Sequence, residues 1–153
     1  MKSKELRAGL LVYKIIAWVC IVFFLFCAVM AWRAGQGYVS PLFLLFVFLG
    51  LFLLFMASSI KSTPEYISVL SPFSEYRIYW DEIEWVEEGN QGTLVVHGKG
   101  EKRLVIPSST YWSGPQKYDM FEFMNSQLEN LEIAIISSTS ADYKVHKNVK
   151  VHT

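Results

Sequence analysis

The chain has 153 residues, of which 52% are hydrophobic and 18% are charged, and its formal net charge is zero. The charge is unevenly spread, because residues 61–153 carry nine Lys or Arg and thirteen Asp or Glu, a net charge of −4. A net negative segment of this size does not favour binding to a polyanion, so we expect no nucleic-acid partner.

Two apolar runs without any charged residue lie near the start of the chain, at 15–32 and 42–57. A helix needs about 20 apolar residues to cross the roughly 30 Å hydrocarbon core of a bilayer. The first run has about that length, and the second reaches it when it extends to residue 60. We therefore predict two membrane-spanning helices, at about 15–32 and 42–60. The first is expected to stay uncleaved, because it is long for a signal peptide and no small-residue cleavage site follows it.

The segment between the runs, 33–41, contains Gly, Ser and Pro and predicts a short turn, so the two helices should form an antiparallel hairpin. Four basic residues precede the first helix and Lys61 follows the second, whereas the turn carries only Arg33. Basic flanks stay on the cytoplasmic side of a membrane. We therefore expect a multi-pass protein of the plasma (inner) membrane with both termini in the cytoplasm. In the second run, Gly50 is the one position where another helix could approach closely.

The chain changes character at Pro64, where the helical pattern ends and short alternating segments begin. These segments are separated by turns that contain Gly, Asn or Pro, and they lie at 66–70, 75–80, from Ile83 onward, 93–97 and 102–106. The phase of the alternation changes at residues 81–82, which predicts a bulge or a tight turn there. The pattern as a whole predicts four or five short strands in an antiparallel meander.

After the strands, Pro115 suits the first position of a helix, and a helical stripe follows it. The stripe consists of Tyr118, Phe121, Met124, Leu128 and Leu131. The predicted fold class is α+β: a two-helix transmembrane hairpin (1–61), then a cytoplasmic domain (62–136) made of a small antiparallel β-sheet capped by a C-terminal amphipathic helix. Residues 137–153 lack a core-forming pattern and are predicted to be a flexible or edge-strand basic tail.

Three segments in order carry a family resemblance: Ile78-x-Trp80-x-x-Ile83-x-x-Val86, then Leu94-Val95-Val96, then Leu104-Val105-Ile106-Pro107 before the terminal helix. The chain resembles the bacterial pleckstrin-homology-like domains. It is similar to small membrane proteins that place such a domain after a two-helix hairpin, including the YcxB-like group. The resemblance implies a partial pleckstrin-homology-like barrel that binds proteins, self-associates or contacts lipid without catalysis. It does not imply phosphoinositide binding, because the matching loop, 71–75, has no Lys or Arg.

No motif in the chain predicts catalysis, a metal or a cofactor. Ser108-Ser109-Thr110 lacks the glycines of a nucleophile elbow. Cys20 and Cys27 lie about 10 Å apart along a helix, beyond the reach of a disulfide. The three histidines are far from both cysteines in the sequence. We therefore expect no enzyme and no bound cofactor or metal.

Two groups of residues are candidates for contact with a partner or a membrane. Tyr111 and Trp112 lie in the loop before the helix, where they fit core packing, a membrane interface or a docking hot spot. An acidic run after residue 80 includes Glu84, Glu87 and Glu88. Such a run is most often a solvated face, with an acidic docking patch as the alternative.

Two functions stay open at this point. The first is a non-catalytic, membrane-anchored interaction module that presents its domain at the cytoplasmic face and binds an unknown protein partner or its own copies. The second is peripheral lipid sensing at the inner leaflet, helped by Tyr111, Trp112 and the basic tail. In both cases the lipid bilayer is a partner of the helical hairpin.

Overall fold

The computed structural model describes residues 5–151. Lys2 and Lys4 of the basic flank, and residues 152–153 of the predicted tail, lie outside the described residues. The described helices are α1 (Leu11–Arg33), α2 (Ser40–Met56) and α3 (Lys117–Asn130). The described strands are β1 (Leu6–Gly9), β2 (Ser59–Ser62), β3 (Tyr66–Ser71), β4 (Ser74–Tyr79), β5 (Ile83–Glu88), β6 (Leu94–Gly98), β7 (Lys102–Ile106) and β8 (Ala134–Ser137).

The α+β fold class is confirmed, and the chain forms two compact units. One unit is the helical pair of residues 10–57, and the other is a β-rich domain built from the residues on both sides of that pair. α1, and α2 together with the 3₁₀ turn Gly37–Val39 that precedes it, are each long and apolar enough to cross a membrane. The second helix ends at Met56 rather than at the predicted residue 60, because the residues from Ser59 onward pair as strand β2.

Small residues allow α1 and α2 to pack closely against each other. Ala17 and Ala28 of α1 are buried, as are Ser40 and Gly50 of α2. The Ser40 hydroxyl donates a hydrogen bond of 3.1 Å to the Ala28 carbonyl oxygen. A Cβ atom on Gly50 would lie 2.8 Å from Cγ1 of Ile21 and 3.2 Å from the Ala17 carbonyl oxygen. The helix that approaches Gly50 closely is therefore α1 of the same chain.

We expect Gly50→Val to separate the two helices, because the added methyl groups would overlap Ile21 and the backbone of α1. Overpacking of this kind costs about 1–3 kcal/mol. The separation can be measured with a bismaleimide cross-link between cysteines placed at Phe24 and Phe46, whose rings stack at 4.7 Å. The cross-link should form in detergent with Gly50 present and lose most of its yield in Gly50→Val.

A compensating variant tests whether the lost cross-link reflects this contact. Ile21→Ala removes the atoms that the introduced valine side chain would meet first, so Gly50→Val with Ile21→Ala should regain part of the cross-link yield. The native Cys20 and Cys27 are replaced by serine throughout. An unchanged yield in the single Gly50→Val variant would contradict the packing described here.

The strands form two four-stranded sheets, in the orders β1-β2-β3-β4 and β7-β6-β5-β8. Neighbouring strands are antiparallel except β5 and β8, which are parallel. The sheets do not close into a barrel. The five segments predicted from alternation correspond to β3 to β7, and the phase change between β4 and β5 is a single 3₁₀ turn at Trp80–Glu82.

The helical pair is inserted between two strands that pair with each other, an arrangement the sequence analysis did not predict. β1 precedes α1, β2 follows α2, and the two strands are antiparallel with Gly9 opposite Ser59. Leu6 and Ile60 are buried in the core of the domain. The predicted boundary at 61/62 therefore leaves two strands of the domain on the wrong side.

The core of the domain is formed by the two sheets and α3. Its fully buried large side chains include Leu6, Ile60, Ile67 and Ile78 from the first sheet, Val86, Val95, Leu104 and Ile106 from the second, and Met120 and Met124 from α3. The buried stripe of α3 is Met120, Met124 and Leu128. The predicted stripe was wrong at Tyr118, Phe121 and Leu131, which are exposed because the helix is turned to direct its methionines into the core.

Residues 144–151, part of the segment predicted to be a flexible or edge-strand tail, pair with both sheets, which agrees with the second alternative. We call residues 144–151 the C-terminal strap. Arg103 of β7 and Lys147 exchange backbone hydrogen bonds of 2.8 Å. The Arg77 N–H of β4 donates to the Val149 carbonyl oxygen at 2.8 Å, and the Val149 side chain is buried. The strap therefore bridges the outer edges of the two sheets instead of extending freely.

Candidate functional site

Three of the four sheet edges are covered by other segments of the chain. The strap covers β4 and β7, as described above. β1 is covered by the loop before α3, because the backbones of Gly9 and Ser113 exchange hydrogen bonds of 2.9 and 2.8 Å. Covered edges prevent pairing with other chains. The remaining edge, β8, is the candidate functional site.

Strand β8 pairs on one side with β5 and is open on the other. Its register with β5 runs from Ala134 opposite Trp85 to Ser137 opposite Glu88. Within residues 5–151, no segment forms a backbone pair with its far side. All four residues of β8 are exposed. The second sheet therefore ends in an unprotected strand.

The alternation of a strand identifies which peptide groups of β8 face outward. The Ser138 N–H donates to the Glu88 carbonyl oxygen at 2.9 Å, so position 138 faces β5. Successive residues direct their N–H and C=O groups to opposite sides of the strand. The peptide groups of Ile135 and Ser137 therefore face away from β5 and can bind another strand.

A groove of about 400 Å³ lies beside this edge, and we call it the β8 groove. Ile135 lies opposite the buried Val86, so its side chain is on the core side of the sheet, where it lines the groove. The groove is otherwise lined by side chains of α3 and β6, by Glu88 at the end of β5, by the turn between β5 and β6 and by the loop after β7; its apolar lining includes Leu94, Phe121 and Leu128. A strand added to β8 could place alternate side chains in this groove.

The composition of β8 is unusual for an exposed edge. The side chains of Ile135 and Ile136 are 51% and 52% exposed, and residues 133–138 contain no charged residue and no proline. Natural edge strands are normally protected by lysine, proline, a bulge or a covering segment. An apolar edge without these features indicates a surface that another chain covers.

The five contact residues predicted from the sequence do not come together in one surface. Tyr111, Glu84 and Glu88 are exposed, whereas Trp112 and Glu87 are buried. The buried Glu87 therefore does not belong to an acidic surface. Of the aromatic pair, only Tyr111 is on the surface.

Trp112 is a packing residue of the domain. Its side chain is 3% exposed, and its indole N–H donates a hydrogen bond of 2.8 Å to the Pro107 carbonyl oxygen. Its ring lies edge to face with Phe121 at 6.3 Å. A ring with this burial offers almost no surface to a membrane or a partner, so of the three roles open for Trp112 only core packing fits.

Glu87 belongs to a buried ion pair on the outer face of the second sheet. The Lys144 ammonium of the strap lies 2.6 and 2.5 Å from the two Glu87 carboxylate oxygens. His97 lies 3.6 Å from the same carboxylate, and its ring stacks on Trp85 at 3.9 Å. Burial lowers the pKa of His97 despite the attraction of the Glu87 carboxylate, so the ring is neutral at neutral pH.

Lys144, His146 and Lys147 of the strap contact the domain through their side chains, and Lys150 is exposed. Lys147 pairs with Glu101 at 2.6 Å, in addition to the pairing of Lys144. The His146 ring stacks on Tyr76 at 4.2 Å, and its Nδ1 accepts a hydrogen bond of 3.1 Å from the Val105 N–H. Burial lowers the pKa of His146 to about 4. These contacts hold the strap on the domain at neutral pH rather than leaving it free for lipid.

The sequence contains a pattern typical of a strand at the position of β8, although no strand was predicted there. Ile133–Ile136 is a short apolar run rich in β-branched residues, and it follows directly after the helix. The run is only four residues long, and polar and apolar residues do not alternate along it, so the alternation rule for amphipathic strands does not identify it.

Among residues 5–151, no three His, Cys, Asp or Glu side chains are arranged to hold a metal ion. No protein-family model, curated protein or solved structure matches the chain. The geometry of the residues is therefore the only basis for a function.

Proposed function

We propose that the chain is a non-catalytic, membrane-anchored interaction module in which the α1–α2 hairpin anchors the domain and β8 receives a strand of another protein chain. The observation that carries this proposal is the edge of β8, which no segment of residues 5–151 covers and which is apolar and uncharged, while the other three sheet edges are covered. Strand addition at such an edge gives affinity through backbone hydrogen bonds and specificity through pockets for alternate side chains.

The surface of the two apolar helices supports the membrane anchor. Large apolar side chains stay exposed along both, with Phe26 62% and Phe48 68% exposed. Surfaces of this size and composition are covered by lipid or by protein. Since Gly9 at the end of β1 lies opposite Ser59 at the start of β2, the chain enters α1 and returns from α2 at the same end of this strand pair, as a hairpin that returns to the same side of a membrane requires.

The distribution of charge supports a cytoplasmic domain. Basic residues flank the hairpin on the side of its two outer ends, and the turn between the helices carries only Arg33. We therefore place the hairpin in the plasma (inner) membrane, with both termini and the domain in the cytoplasm. The succession of four strands, three further antiparallel strands and α3 is compatible with the pleckstrin-homology-like relationship, which we retain as part of the proposal.

Lipid sensing, the alternative function, keeps the exposed Tyr111 and Lys150 as supports, but three other residues are engaged within the domain. Trp112 is buried, and Lys144 and Lys147 of the strap are paired with carboxylates of the domain. Lipid capture at β8 is retained as an outcome that would count against strand addition.

The proposal is tested by photo-cross-linking in native membranes. A photo-reactive amino acid replaces Ile136 on the open edge, and in a matched control it replaces Phe73, which is 82% exposed on the turn between β3 and β4. We expect a discrete protein adduct from position 136 at a yield at least ten times that from position 73. Adducts to lipid alone, or equal yields at the two positions, would overturn the proposal.

A second pair of variants shows whether the adduct depends on backbone pairing. Ser137→Pro removes an outward N–H of β8 without removing a hydrogen bond to β5, and proline blocks strand addition. Ser137→Ala keeps that N–H. We expect Ser137→Pro to reduce the adduct from position 136 at least fivefold and Ser137→Ala to leave it unchanged. Equal yields from the two variants would contradict pairing through the backbone of β8.

A further inference from the structure

We infer that the strand received by β8 is β8 of a second copy of this chain, so that two domains form a twofold dimer through antiparallel β8–β8 pairing. This inference rests on the proposed function and names its partner. The sheet β7-β6-β5-β8 of one copy would then join the same sheet of the other copy into one continuous sheet of eight strands. A β7 strand would lie at each outer edge of this sheet and would be covered by its own strap.

The outward peptide groups of β8 allow such a pairing. In an antiparallel pair, residues whose N–H and C=O face the neighbouring strand lie opposite one another. These are Ile135 and Ser137 in each copy. A twofold axis at Ile135, Ile136 or Ser137 satisfies this condition, because these axes place Ile135 opposite itself, Ile135 opposite Ser137, and Ser137 opposite itself.

The charges near β8 favour a second copy over a partner selected by charge. The nearest ionisable residue before the strand is Glu132, which would lie opposite Ser138 or Ser140 of the other copy when the axis is at Ile135 or Ile136. An axis at Ser137 would place Glu132 opposite Asp142, and like charges destabilise a cross-strand pair, so the first two registers are favoured. Residues 133–138 carry no charge with which to select a charged partner segment; the nearest charge in the groove beside them is Glu88 of β5.

The apolar side chains are also self-complementary. A twofold interface uses the same patch on both copies, so the patch must fit itself. Pairing about Ile135 or Ile136 packs isoleucine against isoleucine or small side chains on both faces of the sheet. On the groove side, Ile135 and Phe121 of each copy would be covered, and both are exposed in the single chain.

The anchor favours the same partner. Two copies with the same topology in one bilayer have their domains on the same side of it. Confinement to the bilayer also raises the effective concentration of one β8 for another.

The test uses the purified full-length chain alone in vesicles of phosphatidylethanolamine and phosphatidylglycerol. Cys20 and Cys27 are replaced by serine, and a single cysteine is introduced as Ile135→Cys or Ile136→Cys. Mild oxidation should give a disulfide-linked dimer in at least one of the two variants, at least ten times faster than in the exposed control Phe73→Cys. Ser137→Pro should slow that reaction at least fivefold, and Ser137→Ala should not change it.

The outcomes separate this inference from the function on which it rests. A protein adduct in native membranes, together with dimer yields in vesicles no higher than the Phe73→Cys control, would mean a different partner and would overturn only the second-copy inference. The absence of a protein adduct in native membranes and of a dimer in vesicles would overturn both. A dimer formed equally from all three positions would reflect random collision and would also overturn the inference.

Discussion

A chain in which the dipeptide Asn-Gly replaces residues 10–58 is expected to fold as a soluble domain, whereas a chain that begins at residue 62 is expected to stay unfolded. Gly9 and Ser59 lie opposite each other in the antiparallel pair of β1 and β2. Because both peptide groups of Gly9 bond to Ser113, the last hydrogen-bonded pair of β1 and β2 is Ala8 with Ile60, and Gly9-Asn-Gly-Ser59 forms a four-residue loop, a common hairpin length. The replacement therefore preserves every strand of the domain.

The chain that begins at residue 62 loses β1 and nearly all of β2. Leu6 and Ile60 are each at most 1% exposed, and removing a large apolar side chain from a core costs about 2–5 kcal/mol. The first sheet would also lose two of its four strands, and β3 would become an open edge. These losses together are comparable with the whole stability of a small domain, about 5–15 kcal/mol.

Circular dichroism and thermal unfolding distinguish the two chains. The Asn-Gly chain should show β-structure and one cooperative transition, and Leu6→Asp in that chain should abolish the transition by placing a charge in the core. A chain that starts at residue 62 and unfolds with the same midpoint would show that β1 and β2 do not belong to the folding unit.

Lys144→Met is expected to destabilise the domain by about 3–5 kcal/mol, because it leaves the carboxylate of Glu87 buried without a countercharge. The Glu87 side chain is 7% exposed, and Lys144 contacts both of its oxygens. Burial of the neighbouring His97 lowers its pKa and opposes its protonation beside Glu87, so His97 is a poor substitute for the lost ammonium group. Loss of the pair would also release the start of the strap.

A double-mutant cycle by denaturant unfolding measures this effect. Glu87→Met combined with Lys144→Met replaces both charges by apolar side chains, so most of the lost stability should return. Lys147→Met is the matched control, because its partner Glu101 is exposed to solvent and exposed pairs contribute little. Equal losses from Lys144→Met and Lys147→Met would contradict the assignment of Glu87 as the buried partner.

The features predicted correctly from the sequence are those with strong local signals. The two apolar runs gave the two helices, because a long run without charge has few other structures available. The five alternating segments gave β3 to β7, since alternation with turn residues between segments is a property of neighbouring residues alone. Chain connectivity then made the antiparallel neighbours β3–β4 and β5–β6–β7 the simplest arrangement.

The features that were missed depend on residues far apart in the chain. β1 and β2 are four residues each and are separated by the whole hairpin, so each is recognised as a strand only through its pairing with the other. The strap looked like a tail because its alternation is weak, and backbone pairing with β4 and β7 holds it in place. The buried stripe of α3 was predicted incorrectly because two adjacent stripes of that helix are apolar. Which of the two is buried depends on how the helix packs against the sheets.

The sequence by itself determined two helices able to cross a membrane, an α+β fold class and the strands β3 to β7. The tertiary structure decided that Trp112 and Glu87 are buried, that the helical pair is inserted between β1 and β2, and that β8 is the uncovered edge. Periodicity and hydropathy are local properties, and they fix local structure. Burial of a side chain and coverage of a sheet edge depend on which distant segments pack against them, and a linear pattern does not contain that information.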